Sequence, residues 1–205
     1  MNGKRPTISS VHGIVAAAHP LAAAAGARLL AQGGNAFDAA AATAAALNVT
    51  EPFMSGLSGL GMATCYIAAE QRIRTLDYIT RVPSKFPVGV FKDREETYRH
   101  PASAATPGNL AGWCELVRAH GRKSLPEIFA PAIALARDGF PIIEFNTDGI
   151  NGAVDNLAHL PFFGDWLQNY TRGRGKMAMG DILRQPELAT TFEAIATHGP
   201  GYLYG

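Results

Sequence analysis

Cysteine and charge are scarce in this chain of 205 residues. The only cysteines are Cys65 and Cys114. Two are too few for a disulfide scaffold, and they lack the paired spacing of a zinc site. They read as two buried free thiols, the alternative being one disulfide in an oxidising compartment. Charged residues make up 17% of the chain, and the formal net charge is +1. Nucleic-acid binding shows itself as a basic excess or stripe, and none is visible, so no nucleic-acid partner is expected. Long apolar runs are also lacking. The stretch from 39 to 71, low in charge, is broken by Pro52, Gly56, Gly59 and Gly61, so no membrane span is expected. The opening MNGKRPTISS has no apolar core of signal-peptide length, and the chain is expected in the cytoplasm. The histidines (His12, His19, His100, His120, His159 and His198) include no i, i+4 pair and no accompanying carboxylate motif. Neither a metal nor a cofactor is expected.

Apolar residues, by contrast, make up 47%, enough to bury a core. The chain is organised around residues 33–62, GGNAFDAAAATAAALNVTEPFMSGLSGLGM. Gly33 and Gly34 suit the end of one helix. Asn35 can cap the next, with Asp38 three residues on, where a carboxylate favours a helix N-terminus. Ala39 to Leu47 is almost all alanine, which predicts a helix packed on more than one side. Pro52 ends it, and Glu51 reads as a helix-end residue. The glycines after it let backbone pass where a side chain would not fit.

Elsewhere, residues 1–10 read as a flexible tail and Gly13 to Ala18 as a short buried strand. Pro20 opens a helix that Leu21 to Gln32 continues. Met62 to Ala68 and Arg72 to Tyr78 read as a hairpin about Glu70-Gln71. That order predicts helices packed on an antiparallel sheet. Residues 81–107 are polar and proline-bearing, and the charge run at 92–99 reads as a solvated loop or short surface helix. Asn109 to His120 has helical spacing. Ser124 and Glu127 form a capping box for Leu125 to Arg137, which Pro131 is expected to bend or divide. Residues 140–180 read as loop with a few short helical turns, with Leu157, Leu160, Phe162, Phe163 and Trp166 covering the core. Pro186 to His198 reads as a last helix.

GGNAFDAAAATAAALNVTEP followed by SGLSGLG resembles the large subunit of the gamma-glutamyltransferase family (gamma-glutamyl transpeptidase, or glutathione hydrolase). HGIVAAAHPLAAAAGARLLAQGGNAFDAA, ATPGNLAGW, LPEIFAPAIALARDGF and GDILRQPELATTFEAIATHGPGYLYG extend the resemblance over residues 11–205. The implied fold is α+β: part of the αββα sandwich of N-terminal-nucleophile hydrolases, helix-rich with a short antiparallel sheet. Residues 11–205 would be a partial large-subunit domain. The implied activity is cleavage of gamma-glutamyl amides, such as glutathione and its conjugates, with transfer to water or an amino acid. In the family the proenzyme cuts itself before a threonine. The hydroxyl of that threonine is the nucleophile and its own free amine is the base. Nothing in this chain matches that cut site, and Thr43, Thr50, Thr64, Thr190 and Thr191 all read as internal. No catalytic residue is therefore expected here, and the implied partner is a threonine-led small subunit or the remainder of the proenzyme.

The resemblance also implies an arginine gripping the substrate α-carboxylate, shortly after a Leu-Asp pair. Here the stretch is Leu76-Asp77-Tyr78-Ile79-Thr80-Arg81-Val82-Pro83. Ungapped alignment puts Ile79 at the arginine position and Arg81 two residues late, on the same face of an extended segment. Arg81 is thus the candidate substrate-binding residue, with a solvated loop arginine as the alternative. GLSGLG lacks Rossmann spacing and context. It reads as a tight turn that, by resemblance, packs beside the catalytic subunit. Two functions remain: the N-terminal part of a gamma-glutamyl-cleaving enzyme, or a truncated family member that binds or does nothing. A related acylase or amidohydrolase fits if glutamyl recognition is lost.

Overall fold

Alanine decides the centre of the fold. The computed structural model describes residues 7–86, 89–97, 100–161 and 163–205. Helix α1 spans Pro20–Ala31 and α2 spans Ala36–Thr50. Between them Gly33 has φ 83°, and the Gly33 and Gly34 amides return to the Leu30 and Leu29 carbonyls at 3.0 and 2.9 Å. This is the glycine-closed helix end that the sequence predicts. The Asn35 side chain accepts from the Phe37 and Asp38 amides, while the Asp38 carboxylate accepts from the Asn35 amide. Ala39, Ala41, Ala42, Ala45 and Ala46 are all buried, because α2 packs against α1 on one side and, on others, against α4 (Asn109–His120) and α5 (Leu125–Asp138). A side chain larger than alanine would hold these neighbours apart.

Strands β1 (Gly61–Ile67) and β2 (Arg72–Tyr78) form an antiparallel hairpin with Gly61 opposite Tyr78 and Ile67 opposite Arg72. Gln71, at φ 51°, makes the turn. The hairpin lies on α4, so helix on antiparallel sheet is the observed arrangement. A short helix α3 (Arg94–Thr97) and a single 3-10 turn (Pro101–Ser103) follow on the surface. Tyr98 and Arg99, the end of the charge run, lie outside the described residues. Helix α5 runs unbroken through Pro131, so the expected division does not occur. The carbonyl that Pro131 leaves without an amide is that of Glu127, in the exposed first turn, where water can serve it. Buried Ile128, Phe129 and Ala132 hold the helix on its neighbours.

Two expectations are corrected. Gly13 to Ala18 is not a strand, and Ile14 is exposed. No described strand lies beside it to complete a ladder. Residues 140–180 are largely helical: α6 (Glu144–Leu157) and α7 (Phe163–Thr171) flank a turn. The two-residue pair β3 (Phe140–Pro141) and β4 (Ile182–Leu183) brings the chain back. Helix α6 escapes sequence reading because only Asn146 and Ile150 are buried on it. Leu157, Leu160, Phe163 and Trp166 are half-buried, and of these Trp166 packs against the core, while Phe162 lies outside the described residues. Helix α8 (Pro186–His198) packs on α5, and α9 (Gly201–Tyr204) packs on α8. The core gathers Leu29, Val49, Leu110, Ile128, Phe129, Phe192 and Ile195 between α2, α4, α5 and α8. The fold is α+β and helix-rich, with two short antiparallel pairs among the described residues. No helix among the described residues is long and apolar enough to cross a membrane.

Candidate functional site

Three stretches far apart in the chain meet at one end of the hairpin: the loop 56–61, the end of β2, and the turn into α4. The Gly59 carbonyl accepts from both the Gly108 and Asn109 amides, at 2.8 and 3.0 Å. The Asn109 side chain donates to the Gly56 carbonyl at 2.8 Å. A Cβ on Gly59 would sit 2.5 Å from Asn109 Nδ2. The GLSGLG loop is therefore a tight turn fastened to the start of α4, and only glycine permits the approach.

Tyr78 is the pivot. It pairs with Gly61 across the hairpin, and its ring fills a space shaped by missing side chains. A Cβ on Gly61 would meet ring atom Cε2 at 2.6 Å, and one on Gly112 would meet Cγ and Cδ1 at 2.4 Å. A Cβ on Gly108 would meet the Tyr78 carbonyl oxygen at 2.1 Å. Burial pushes the phenol up from its ordinary value, the nearby Cys65 adds to this, and the Trp113 side chain opposes both.

Exposure alternates from Leu76 past the end of β2. Leu76, Tyr78 and Thr80 are half-buried, whereas Asp77, Ile79 and Arg81 are exposed. Ile79 and Arg81 therefore share the open face, the geometry expected for a two-residue shift. The Asp77 carboxylate accepts from the Ile79 amide at 2.9 Å, which sets the direction of the outgoing chain. Among the described residues Arg81 makes no ion pair or hydrogen bond.

Four of the threonines and both cysteines are poorly set up to attack, whereas Thr64, expected to be internal, is exposed on β1. Thr43, Thr50, Thr190 and Thr191 each donate back to the carbonyl four residues earlier. Both cysteines are free. Burial pushes the Cys114 thiol up to about 11 and raises that of Cys65, the opposite of what an attacking thiolate needs. Among the described residues no group of three or more His, Cys, Asp or Glu side chains is placed to hold a metal ion. Sequence reading singled out Arg81 but missed Tyr78 and Asn109. The signal for both lay in Gly61, Gly108 and Gly112. None of these glycines has a positive φ, so space rather than backbone conformation demands them.

The profile described as Gamma-glutamyltranspeptidase matches residues 22–205. The acylase ACY 1 proenzyme of Pseudomonas sp. (strain V22) is 34% identical over 215 residues, covering 98% of this chain and 38% of that protein. The glutathione hydrolase proenzyme of Bacillus subtilis (strain 168) is 34% identical over 199 residues, covering 94% of this chain and 33% of that protein. The chain thus spans well under half the length of these curated relatives. The crystal structure of Helicobacter pylori gamma-glutamyltranspeptidase matches with a TM-score of 0.84 at 28% identity, over 95% of this chain and 56% of that one.

Proposed function

This chain belongs to the gamma-glutamyltranspeptidase family, and on that premise we propose that it is the N-terminal part of the large subunit of an enzyme that cleaves gamma-glutamyl amides, glutathione and its conjugates among them. The observation that carries the reading is the meeting of three family-like stretches, SGLSGLG, LDYITR and ATPGN, at one end of the hairpin. The nucleophile in this reading is the first residue of a threonine-led partner chain. Its hydroxyl attacks the amide carbon while its own α-amine takes the hydroxyl proton. The amine leaves with that proton, and a glutamyl ester remains on the threonine. Water or an amino acid then attacks the ester and regenerates the hydroxyl. In this scheme the present chain binds and orients. Arg81 grips the substrate α-carboxylate from the open face it shares with Ile79, because a guanidinium fork matches a carboxylate with paired hydrogen bonds.

The first test is the native mass of the protein purified from its own source, with N-terminal sequencing of every chain present. A complex with a threonine-started chain supports the reading. A mass equal to this chain or its multiples leaves a non-catalytic family member and overturns it. In the active complex, Arg81→Ala is expected to raise KM for a gamma-glutamyl anilide by roughly tenfold or more with kcat little changed, the loss of a charged hydrogen-bonded contact.

A second reading has its own support. Ile79, not an arginine, stands at the ungapped position, and the acylase relative is as similar as the glutathione hydrolase. An apolar side chain there suits an acyl group without an α-carboxylate. Under this reading the complex cleaves an aliphatic acyl amide better than a gamma-glutamyl amide, and Arg81→Ala leaves KM unchanged.

A further inference from the structure

We infer that Tyr78 is a positioning residue that aims the Ile79–Arg81 segment at the substrate, and that Gly61, Gly108 and Gly112 exist to seat it. The inference rests on the reading of this face as the substrate side. Its physical basis is separate from that reading. A core tyrosine ordinarily packs among several large side chains that share its support. Here the ring lies against two backbone surfaces, at Gly61 of β1 and Gly112 of α4, and its own carbonyl lies against a third, at Gly108. The ring is thus pinned near its base by Gly112 and near its tip by Gly61, whose Cβ would also stand 3.1 Å from the Tyr78 phenolic oxygen. The residue is held along its whole length and at its main chain.

Beyond Tyr78 the support is slight. The Ile79 amide is tied to Asp77, and Ile79 and Arg81 are exposed. Apart from that Asp77 bond and the half-buried Thr80, the course of the segment is inherited from the seating of one ring. The slot cannot repair itself if that ring is cut down, since glycines have no side chains to move in. A leucine at 78 would leave the outer half of the slot empty and free the segment to pivot. Displacement of about 1 Å at a site can cost on the order of a hundredfold in turnover efficiency.

The test compares three variants in the assembled enzyme. Tyr78→Leu is expected to raise KM roughly tenfold to a hundredfold, with kcat changed far less. Tyr78→Phe keeps the ring in its slot and is expected to restore KM to near the unmodified value. Ile195→Ala, in the buried core on α8, is expected to lower Tm at least as much as Tyr78→Leu with KM unmoved. A Tyr78→Leu enzyme that loses stability but keeps its KM would show a packing role only and overturn the inference. Hydrogen exchange at the Ile79 amide gives a readout independent of activity. Exchange is expected to quicken by roughly tenfold or more in Tyr78→Leu and not in Ile195→Ala. Equal exchange in the two variants overturns the inference even if the complex cleaves no amide tested, whereas an inactive complex with the expected exchange pattern counts only against the substrate assignment.

Discussion

At Asp38 one carboxylate closes three open backbone groups. It is fully buried and accepts from the amides of Asn35 at 2.8 Å, Arg122 at 3.0 Å and Lys123 at 3.2 Å. The first bond is local, and the spacing from Asn35 made it legible. The other two come from the α4–α5 turn, 84 and 85 residues away in sequence, and no local pattern announces them. Asp38→Ala leaves three amides short of an acceptor, so a loss of about 3 kcal/mol or more is expected in urea unfolding. A loss under about 1 kcal/mol would mean that water replaces the carboxylate there. His19 offers a pH test at the same scale. Its Nδ1 caps α1 by accepting from the Leu21 amide at 3.2 Å. Burial lowers its pKa from 6.5, against smaller raising effects of the nearby Asn146 side chain and of Glu51, and its Nε2 has no hydrogen-bond partner among the described residues. The folded state therefore binds the proton less readily than the unfolded chain. The His19 contribution is complete above about pH 6.5, the unfolded value, and shrinks as pH falls below it. His19→Asn keeps a capping oxygen and does not titrate. The expected result is a flatter fall in the urea midpoint between pH 7.5 and pH 5 than in the unmodified chain; parallel curves would remove His19 as the cause.

Helices show where sequence reading succeeds and where it stops. α1, α2, α4, α5 and α8 were legible because a cap, a proline start or apolar spacing marks each segment locally. α6 carries none of that agreement. It is held from outside: Asn146 donates to the Thr50 carbonyl at 2.6 Å, and Asn151 exchanges hydrogen bonds with the Met177 main chain. These bonds join segments far apart in sequence, so a polar, glycine-bearing helix reads as loop until its neighbours are known. The reverse happened at Gly13–Ala17, where a strand-like pattern has no described partner. The tightest helix contact also has a test. Gly26 on α1 faces α2, and a Cβ there would lie 2.1 Å from Thr43 Oγ1 and 2.9 Å from the Ala39 carbonyl oxygen. Alanine for glycine within a helix normally gains about 1 kcal/mol. Overpacking at a close crossing costs about 1–3 kcal/mol, and one of the two obstacles is backbone. Gly26→Ala is therefore expected to lower Tm, and adding Thr43→Ala to recover part of the loss. A rise in Tm for the single variant would show that the two helices separate freely.

On the scale of the whole molecule, the hairpin is half covered. Its inner side, with Ala63, Cys65, Leu76 and Tyr78, faces α4. Its outer side presents Met62, Tyr66 and Ile73, which are 55%, 63% and 71% exposed. Tyr66 and Ile73 stand directly opposite each other. A two-stranded hairpin is marginal on its own, and an apolar sheet face in water marks an interface or an aggregation risk. The sequence resemblance anticipated such a surface, since it implies a second sheet stacked on the first. The particular side chains depend on the register of β1 and β2, because a slip of one residue would turn the other face outward. The expected behaviour of the chain expressed alone is concentration-dependent self-association in sedimentation velocity. If the outer face drives it, Tyr66→Lys with Ile73→Glu shifts the population to monomer while leaving the circular dichroism of the helices unchanged, since neither side chain supports the core. The same pair of substitutions is then expected to prevent assembly with a threonine-led chain, because self-association and assembly would compete for one surface. A chain that stays monomeric without the substitutions would show that this face tolerates water, and the search for the assembly surface would move to the unpaired segment at Gly13–Ala17.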